Sequence, residues 1–127
     1  MKSRLLRRTL VADAAISGVT GLLLAAAATP LGDLLGVPVA LLRYAGVSLI
    51  PFAVLLVVLA TRESLPAIAV RIVIAANVLW AIDSILLLFT GWIEPSALGY
   101  AFIIAQAAIV ALFAEIQHAG LRAATAS

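Results

Sequence analysis

The segment from Val70 to Thr90 reads VRIVIAANVLWAIDSILLLFT, a long and almost uncharged apolar run. Its only charged residues are Arg71, near its start, and Asp83, toward its end. A helix of about 20 mostly apolar residues is long enough to cross the roughly 30 Å hydrocarbon core of a bilayer. The segment therefore predicts a transmembrane helix.

Three other stretches have the same character and run over residues 9–29, 41–61 and 96–117. Proline, which ends helices because it lacks the backbone N–H donor, occurs in every segment that connects the four stretches. The chain is 65% hydrophobic and 11% charged, whereas a soluble domain carries about 25% charged residues. We predict an all-α integral membrane bundle of four transmembrane helices in an up-down-up-down arrangement, forming one domain over residues 1–127.

The basic residues lie unevenly between the two ends of this predicted bundle. Only Arg43 lies at the end away from the chain termini. The other seven lie at the end that holds both termini, here named the terminal end: Lys2, Arg4, Arg7, Arg8, Arg62, Arg71 and Arg122. Because basic residues concentrate in cytoplasmic loops, both termini are predicted to be cytoplasmic. This placement also explains the net charge of +2 without a nucleic-acid partner, and the expected partner is the lipid bilayer.

The first connection, residues 30–38, contains several leucines and one acid between two prolines. Such a pattern is typical of a short helix that lies along the membrane surface. A tight apolar loop fits the same residues, so the sequence leaves both possibilities open.

Asp83 is the strongest candidate for a functional residue. A charged residue at the centre of a spanning helix costs about 2.5–3.5 kcal/mol on insertion, so such residues often mark functional sites. Asn77 and Trp80 lie one turn apart on one face of the same helix, about two turns and one turn before Asp83. Arg43 and Ser48 are predicted at a similar depth on the preceding helix, and Arg43 is expected to reach toward Asp83. These five residues form the predicted site, which is either an ion-coupled or ligand-binding carboxylate or a buried acid tied to its partner.

The first predicted span carries a polar face. Its residues recur at helical spacing: Thr9, Asp13, Ser17 and Thr20. A stripe of small residues runs beside them: Ala14, Gly18, Gly21 and Ala25. The polar face is expected to point into the bundle, and the small residues are expected to let another helix approach closely.

We expect Asp13 to pair with charged residues of two other helices at the terminal end. Arg71 lies near the start of the third predicted span and Glu115 near the end of the fourth. Glu115 is expected to face the interior because it follows a stripe of alanines on its own helix: Ala97, Ala101, Ala105 and Ala108. Asp13, Arg71 and Glu115 would then form an ion-pair cluster that joins three helices.

For two further polar residues we predict no functional role: one forms an interhelical hydrogen bond and the other is solvated. Gln106 lies near the middle of the fourth span and is expected, from its depth, to face Asn77 or Thr20 as an interhelical hydrogen-bonding group. His118 is the only histidine and is expected to be solvated near the end of that helix.

Several kinds of chemistry are excluded by what the sequence lacks. There are no cysteines, which excludes disulfides, thiol nucleophiles and cysteine-ligated metals. One histidine cannot supply bis-histidine haem ligation in one chain. No phosphate-binding loop, dinucleotide-binding glycine pattern or zinc spacing is present. We therefore predict no enzyme, no catalytic residue, no cofactor and no metal.

Four features of the chain occur together: a basic N-terminus, a first helix rich in glycine and alanine, the connector Leu35-Gly36-Val37-Pro38, and Gly46 early in the second helix. With these features the whole chain resembles, in outline, small and mostly uncharacterised bacterial four-helix inner-membrane proteins, and among them the DoxX-like group. The resemblance implies a multi-pass protein of the bacterial cytoplasmic (inner) membrane. That group tends to carry a glutamate early in the second helix, where this chain has Ser48, so its respiratory or redox association is not carried over.

Two functions fit these observations. The first is a structural or accessory subunit that packs against itself, as a homo-oligomer, or against a larger membrane complex. The alternative is a small transporter or ligand-binding membrane protein that uses Asp83. The first is favoured because a single chain of four helices leaves little room for a transport path. A cavity that reaches Asp83 would reverse this preference, whereas an ion pair between Asp83 and Arg43 would sustain it.

Overall fold

The computed structural model describes residues 3–125, and within that range it contains only helices and their connections. The five helices are α1 (Ser3–Ala26), α2 (Ala28–Leu35), α3 (Val39–Thr61), α4 (Ala67–Leu87) and α5 (Ala97–Thr125). All of them except α2 are long and apolar enough to cross a membrane. The chain therefore has the build of a small multi-pass membrane protein with four candidate spans.

The helices differ from their predicted bounds mainly at the terminal end. α1 begins at Ser3 rather than at residue 9, and α5 continues to Thr125 rather than ending at residue 117. A helix is not confined to the hydrocarbon layer, so its charged end turns extend into the headgroup region. α4 covers Ala67–Leu87 rather than residues 70–90, because it begins directly after Pro66. α2 shows that the first connection forms a short helix and not a tight loop.

Two apolar clusters fill the interior, one at each end of the bundle. The cluster at the terminal end contains Leu6, Leu10, Ala14, Leu56, Leu59, Val70, Val73 and Leu121. The cluster at the opposite end, here named the α2 end, contains Leu24, Ala28, Leu35, Val37, Leu42, Ile93 and Ile103. Between them, α1 packs against α3 and α5, and α4 packs against α5. Within the described residues, the consecutive helices α3 and α4 do not pack against each other along their lengths.

α1 and α3 approach each other most closely at two glycines. A Cβ atom built on Gly46 would lie 2.5 Å from the Ala25 nitrogen and 2.7 Å from the Gly21 carbonyl oxygen. A Cβ atom built on Gly21 would in turn lie 2.9 Å from the Gly46 carbonyl oxygen. The predicted close approach at the small-residue stripe of the first span is therefore confirmed.

The C-terminus of α2 is joined to the N-terminus of α5 through Ser96. The Ser96 hydroxyl donates to the Leu34 carbonyl oxygen (2.8 Å), and the Ser96 N–H donates to the Leu35 carbonyl oxygen (2.9 Å). The same hydroxyl accepts a hydrogen bond from the Gly99 N–H (3.1 Å), which caps α5. Gly36 ends α2 with φ of 70°, a conformation that glycine adopts without a steric cost. These contacts fix the α2 end, where the candidate site lies.

Candidate functional site

A cavity of about 470 Å³ lies in the α2 half of the bundle, between α3 and α4. Its walls come from residues 41–49 of α3 and 80–87 of α4, and its floor includes Thr20 of α1 and Gln106 of α5. Trp92 borders it from the segment between α4 and α5. The side chains of α3 and α4 meet in the terminal-end cluster, but the two backbones do not lie close together along the helices, and the cavity is open between them at the α2 end. Its volume falls within the roughly 300–1,000 Å³ of small-molecule pockets.

Asp83 is the only charged side chain among the described residues that line this cavity. Its side chain is exposed, and in the described structure its carboxylate takes part in no hydrogen bond or ion pair. α4 ends at Leu87 rather than at residue 90, so Asp83 lies about one turn from the helix end rather than the two turns that the predicted bounds imply. A carboxylate at this depth is less costly than one at the membrane centre.

The five residues of the predicted site are divided by the structure. Ser48 and Trp80 line the cavity together with Asp83. Arg43 is exposed and does not line the cavity, and no ion pair joins it to Asp83 in the described part of the chain. Asn77 is buried in a separate polar group deeper in the bundle. The predicted pairing of Asp83 with Arg43 is thus corrected: the carboxylate faces the cavity without a basic partner.

Several hydrogen-bond donors in the cavity walls are engaged within the walls themselves, whereas the side-chain donors of three other lining residues, Thr20, Tyr44 and Trp92, make no hydrogen bond in the described structure. The indole N–H of Trp80 donates to Gln106 Oε1 (2.8 Å), which links α4 to α5. The Ser84 hydroxyl donates to the Trp80 carbonyl oxygen (2.7 Å), and the Ser48 hydroxyl donates to the Tyr44 carbonyl oxygen (2.8 Å). The carboxylate of Asp83 is therefore the group in the cavity with the greatest unused capacity to accept hydrogen bonds.

A second polar group, here named the Asp13 network, joins α1, α4 and α5 in the interior. Asp13 Oδ2 accepts hydrogen bonds from Asn77 Nδ2 (2.8 Å) and from Gln117 Nε2 (2.7 Å). Asp13 Oδ1 accepts one from the Ser17 hydroxyl (3.1 Å), and Asn77 Nδ2 also donates to Gln117 Oε1 (3.0 Å). Asp13 is 1% exposed and Gln117 is 0% exposed. The predicted polar face of the first span does point inward, but its carboxylate is held by neutral amides.

The predicted ion-pair cluster of Asp13, Arg71 and Glu115 does not form in the part of the chain that the structure describes. Arg71 and Glu115 are both exposed, and Asp13 is bonded to neither. The reason is helical register: α5 buries Gln117, and Glu115 lies about 160° away around the helix axis. The alanine stripe used to orient this helix is itself exposed: Ala97, Ala101, Ala105 and Ala108.

Two glutamines of α5 carry contacts that sequence reasoning missed. Gln117 has no predicted contact, and Gln106 is predicted to face Asn77 or Thr20, whereas its partner in the structure is Trp80. The two glutamines stand at i and i+11, three helical turns apart, and so they lie on one face. That spacing was the signal that identifies the inward face of α5.

The described residues contain no group of three or more histidine, aspartate or glutamate side chains placed to hold a metal ion. The three aspartates instead lie in separate places: Asp83 at the cavity, Asp13 in the interior and Asp33 exposed on α2. Neither a family model, nor a curated protein, nor a solved structure matches this chain. The resemblance to the DoxX-like group therefore stays a prediction, and the geometry of the cavity carries the functional argument.

Proposed function

We propose that this membrane protein binds an amphiphilic small molecule in the cavity between α3 and α4. One observation carries the proposal: a mostly apolar cavity of about 470 Å³ contains a single charged side chain, Asp83, that has no partner in the described structure. Apolar walls with one or two convergent polar groups are typical of ligand sites. This reverses the preference for an accessory role, because a cavity reaches Asp83 and Arg43 is not paired with it.

The topology that accompanies this function is up-down-up-down, with both termini in the cytoplasm. Support comes from the terminal-end cluster, which combines residues from the starts of α1 and α4 with residues from the ends of α3 and α5. The seven-to-one distribution of basic residues supports the orientation. The cavity then opens in the outer half of the bilayer. On the resemblance given above, the membrane is the inner membrane of a bacterium.

Tryptophan fluorescence tests ligand binding directly, because the chain has two tryptophans and both line the cavity. The variant Trp92→Phe leaves the half-buried Trp80 as the only reporter. In phosphatidylcholine vesicles, 4-bromododecan-1-ol is expected to quench Trp80 in a saturable manner, since the bromine quenches an indole that it contacts. Unbrominated dodecanol is expected to reverse the quenching by competition.

A control reports simple partitioning of the probe into the bilayer. In a chain without the native tryptophans, Val57→Trp places the indole on an exposed position of α3, 51% exposed in the wild type and outside the cavity. Its quenching should rise linearly with the probe and should not respond to dodecanol. Linear quenching of both Trp80 and this control would contradict the proposed function.

A structural or accessory role is the second candidate, favoured by the exposed alanine stripe of α5. Small residues let membrane helices approach closely, and Ala101 and Ala105 lie in the middle of this exposed face. On this candidate, native mass spectrometry after mild extraction from the host gives a homo-oligomer or a stoichiometric complex. The double variant Ala101→Leu and Ala105→Leu should dissociate it, whereas the conservative exposed change Ile104→Leu should not. A wild-type monomer contradicts this role.

A further inference from the structure

The residues that line the cavity carry a net negative charge. Among the described residues that line it, Asp83 is charged and no lysine, arginine or histidine is present. Arg43 lies within residues 41–49 of α3, but it is exposed and does not line the cavity. In the low dielectric of a membrane, a single carboxylate beside an apolar cavity favours a cation and disfavours an anion.

The hydrogen bonds of the walls favour the same ligand charge. The Trp80 indole N–H and the Ser48 and Ser84 hydroxyls already donate to groups of the protein. A carboxylate or phosphate ligand would lie beside a charge of its own sign. In the described structure it would find side-chain donors without a partner only on three lining residues, Thr20, Tyr44 and Trp92. A ligand that carries positive charge could instead bind the carboxylate oxygens of Asp83, which accept no hydrogen bond in the described structure.

The aromatic residues of the lining add to this preference. Trp80, Trp92, Tyr44 and Phe102 all border the cavity. The faces of aromatic rings attract ammonium groups, and they do so more strongly where water is displaced. The remaining lining is largely aliphatic and suits the hydrocarbon portion of a ligand.

From these observations we infer that the ligand is a lipophilic cation, an ammonium group attached to an apolar body. Asp83 binds the ammonium group near the end of α4, and the apolar body lies between α3 and α4. This inference rests on the proposed function of the cavity and names its ligand class.

A matched pair of probes tests the inference in the Trp92→Phe chain, in vesicles of zwitterionic phosphatidylcholine. The cationic probe is 4-bromododecyltrimethylammonium, whose bromine lies about one helical turn from the ammonium group. The neutral probe of the same chain length is 4-bromododecan-1-ol. The cation is expected to half-saturate Trp80 quenching at a concentration about tenfold lower than the alcohol, which corresponds to about 1.4 kcal/mol. Asp83→Asn should remove this advantage and leave quenching by the alcohol within about twofold.

The control for charge is Glu94→Gln, which removes an acid that is exposed at the same end of the bundle but does not line the cavity. It should leave the advantage of the cation intact. Saturable quenching that is equal for both probes and unaffected by Asp83→Asn overturns the lipophilic-cation assignment and leaves the proposed function standing. Loss of the advantage in Glu94→Gln to the same extent overturns the assignment as well, because surface charge would then explain it. Absence of saturable quenching by either probe overturns both the assignment and the proposed function.

Discussion

Replacing Gly46 with alanine is expected to lower the free energy of unfolding by about 3 kcal/mol. The new Cβ atom would lie 2.5 Å from the Ala25 nitrogen and 2.7 Å from the Gly21 carbonyl oxygen. Both are backbone atoms of α1, so no side-chain rotation relieves the contact and the two helices must separate. Such separation costs dispersion energy along the whole interface between α1 and α3, because interiors are close-packed. Titration of the micelle-bound protein with sodium dodecyl sulfate, followed by circular dichroism, measures the loss.

The matched control is Gly18→Ala, on the same stripe of α1. There the new Cβ atom would lie 3.6 Å from the Ala53 Cβ atom, which is an ordinary van der Waals contact. This variant is expected to change the free energy of unfolding by less than about 0.5 kcal/mol, and alanine also favours a helix over glycine. If the two variants unfold at the same detergent fraction, the close approach at Gly46 is not what holds α1 and α3 together.

Hydropathy predicts which segments of this fold are helices, but it does not predict the residues at which they begin and end. Four apolar runs separated by prolines specify four long helices, because each backbone polar group in lipid must be bonded within its own helix. The ends of the helices depend on where the chain leaves the headgroup region, and hydropathy does not report that position. α5 accordingly continues to Thr125, through polar residues that the apolar run excludes.

The candidate site was partly predictable for a similar reason. Asp83, Trp80 and Ser48 could be identified because polar residues are rare in spanning helices, and all three line the cavity. Depth along a helix says how far a residue lies from the membrane boundary but not the direction in which it points. Asn77 shares a face with Trp80 in sequence, yet it does not line the cavity, and its partners are Asp13 and Gln117.

The cavity itself was not predictable from the sequence. It exists because α3 and α4, although adjacent in sequence, meet through the terminal-end cluster and do not approach each other closely along the rest of their described lengths. The preference of α1 for α3 arises from backbone approach at Gly46 and Gly21. The preference of α5 for α4 is reinforced by the bond from Trp80 to Gln106. No periodicity within a single helix reports which of its neighbours will be the nearest.

Replacing Asp13 with alanine is expected to lower the free energy of unfolding by about 2 kcal/mol. Hydrogen bonds between membrane helices average about 0.6 kcal/mol each, and Asp13 accepts three, from Ser17, Asn77 and Gln117. The loss also leaves the Gln117 Nε2 donor without its acceptor at a residue that is 0% exposed, and an unsatisfied buried donor adds to the cost. The same detergent titration measures this effect.

Asp13→Asn separates the hydrogen bonds from the charge. The amide oxygen can take the place of Oδ2 and accept from Asn77 and Gln117, while the amide nitrogen can donate to the Ser17 hydroxyl oxygen. If the network stabilises the bundle by its hydrogen bonds, asparagine should lose less than about 1 kcal/mol. Equal losses for asparagine and alanine would contradict that account. In that case the negative charge of Asp13, and not the hydrogen bonds that it accepts, would be what stabilises the bundle.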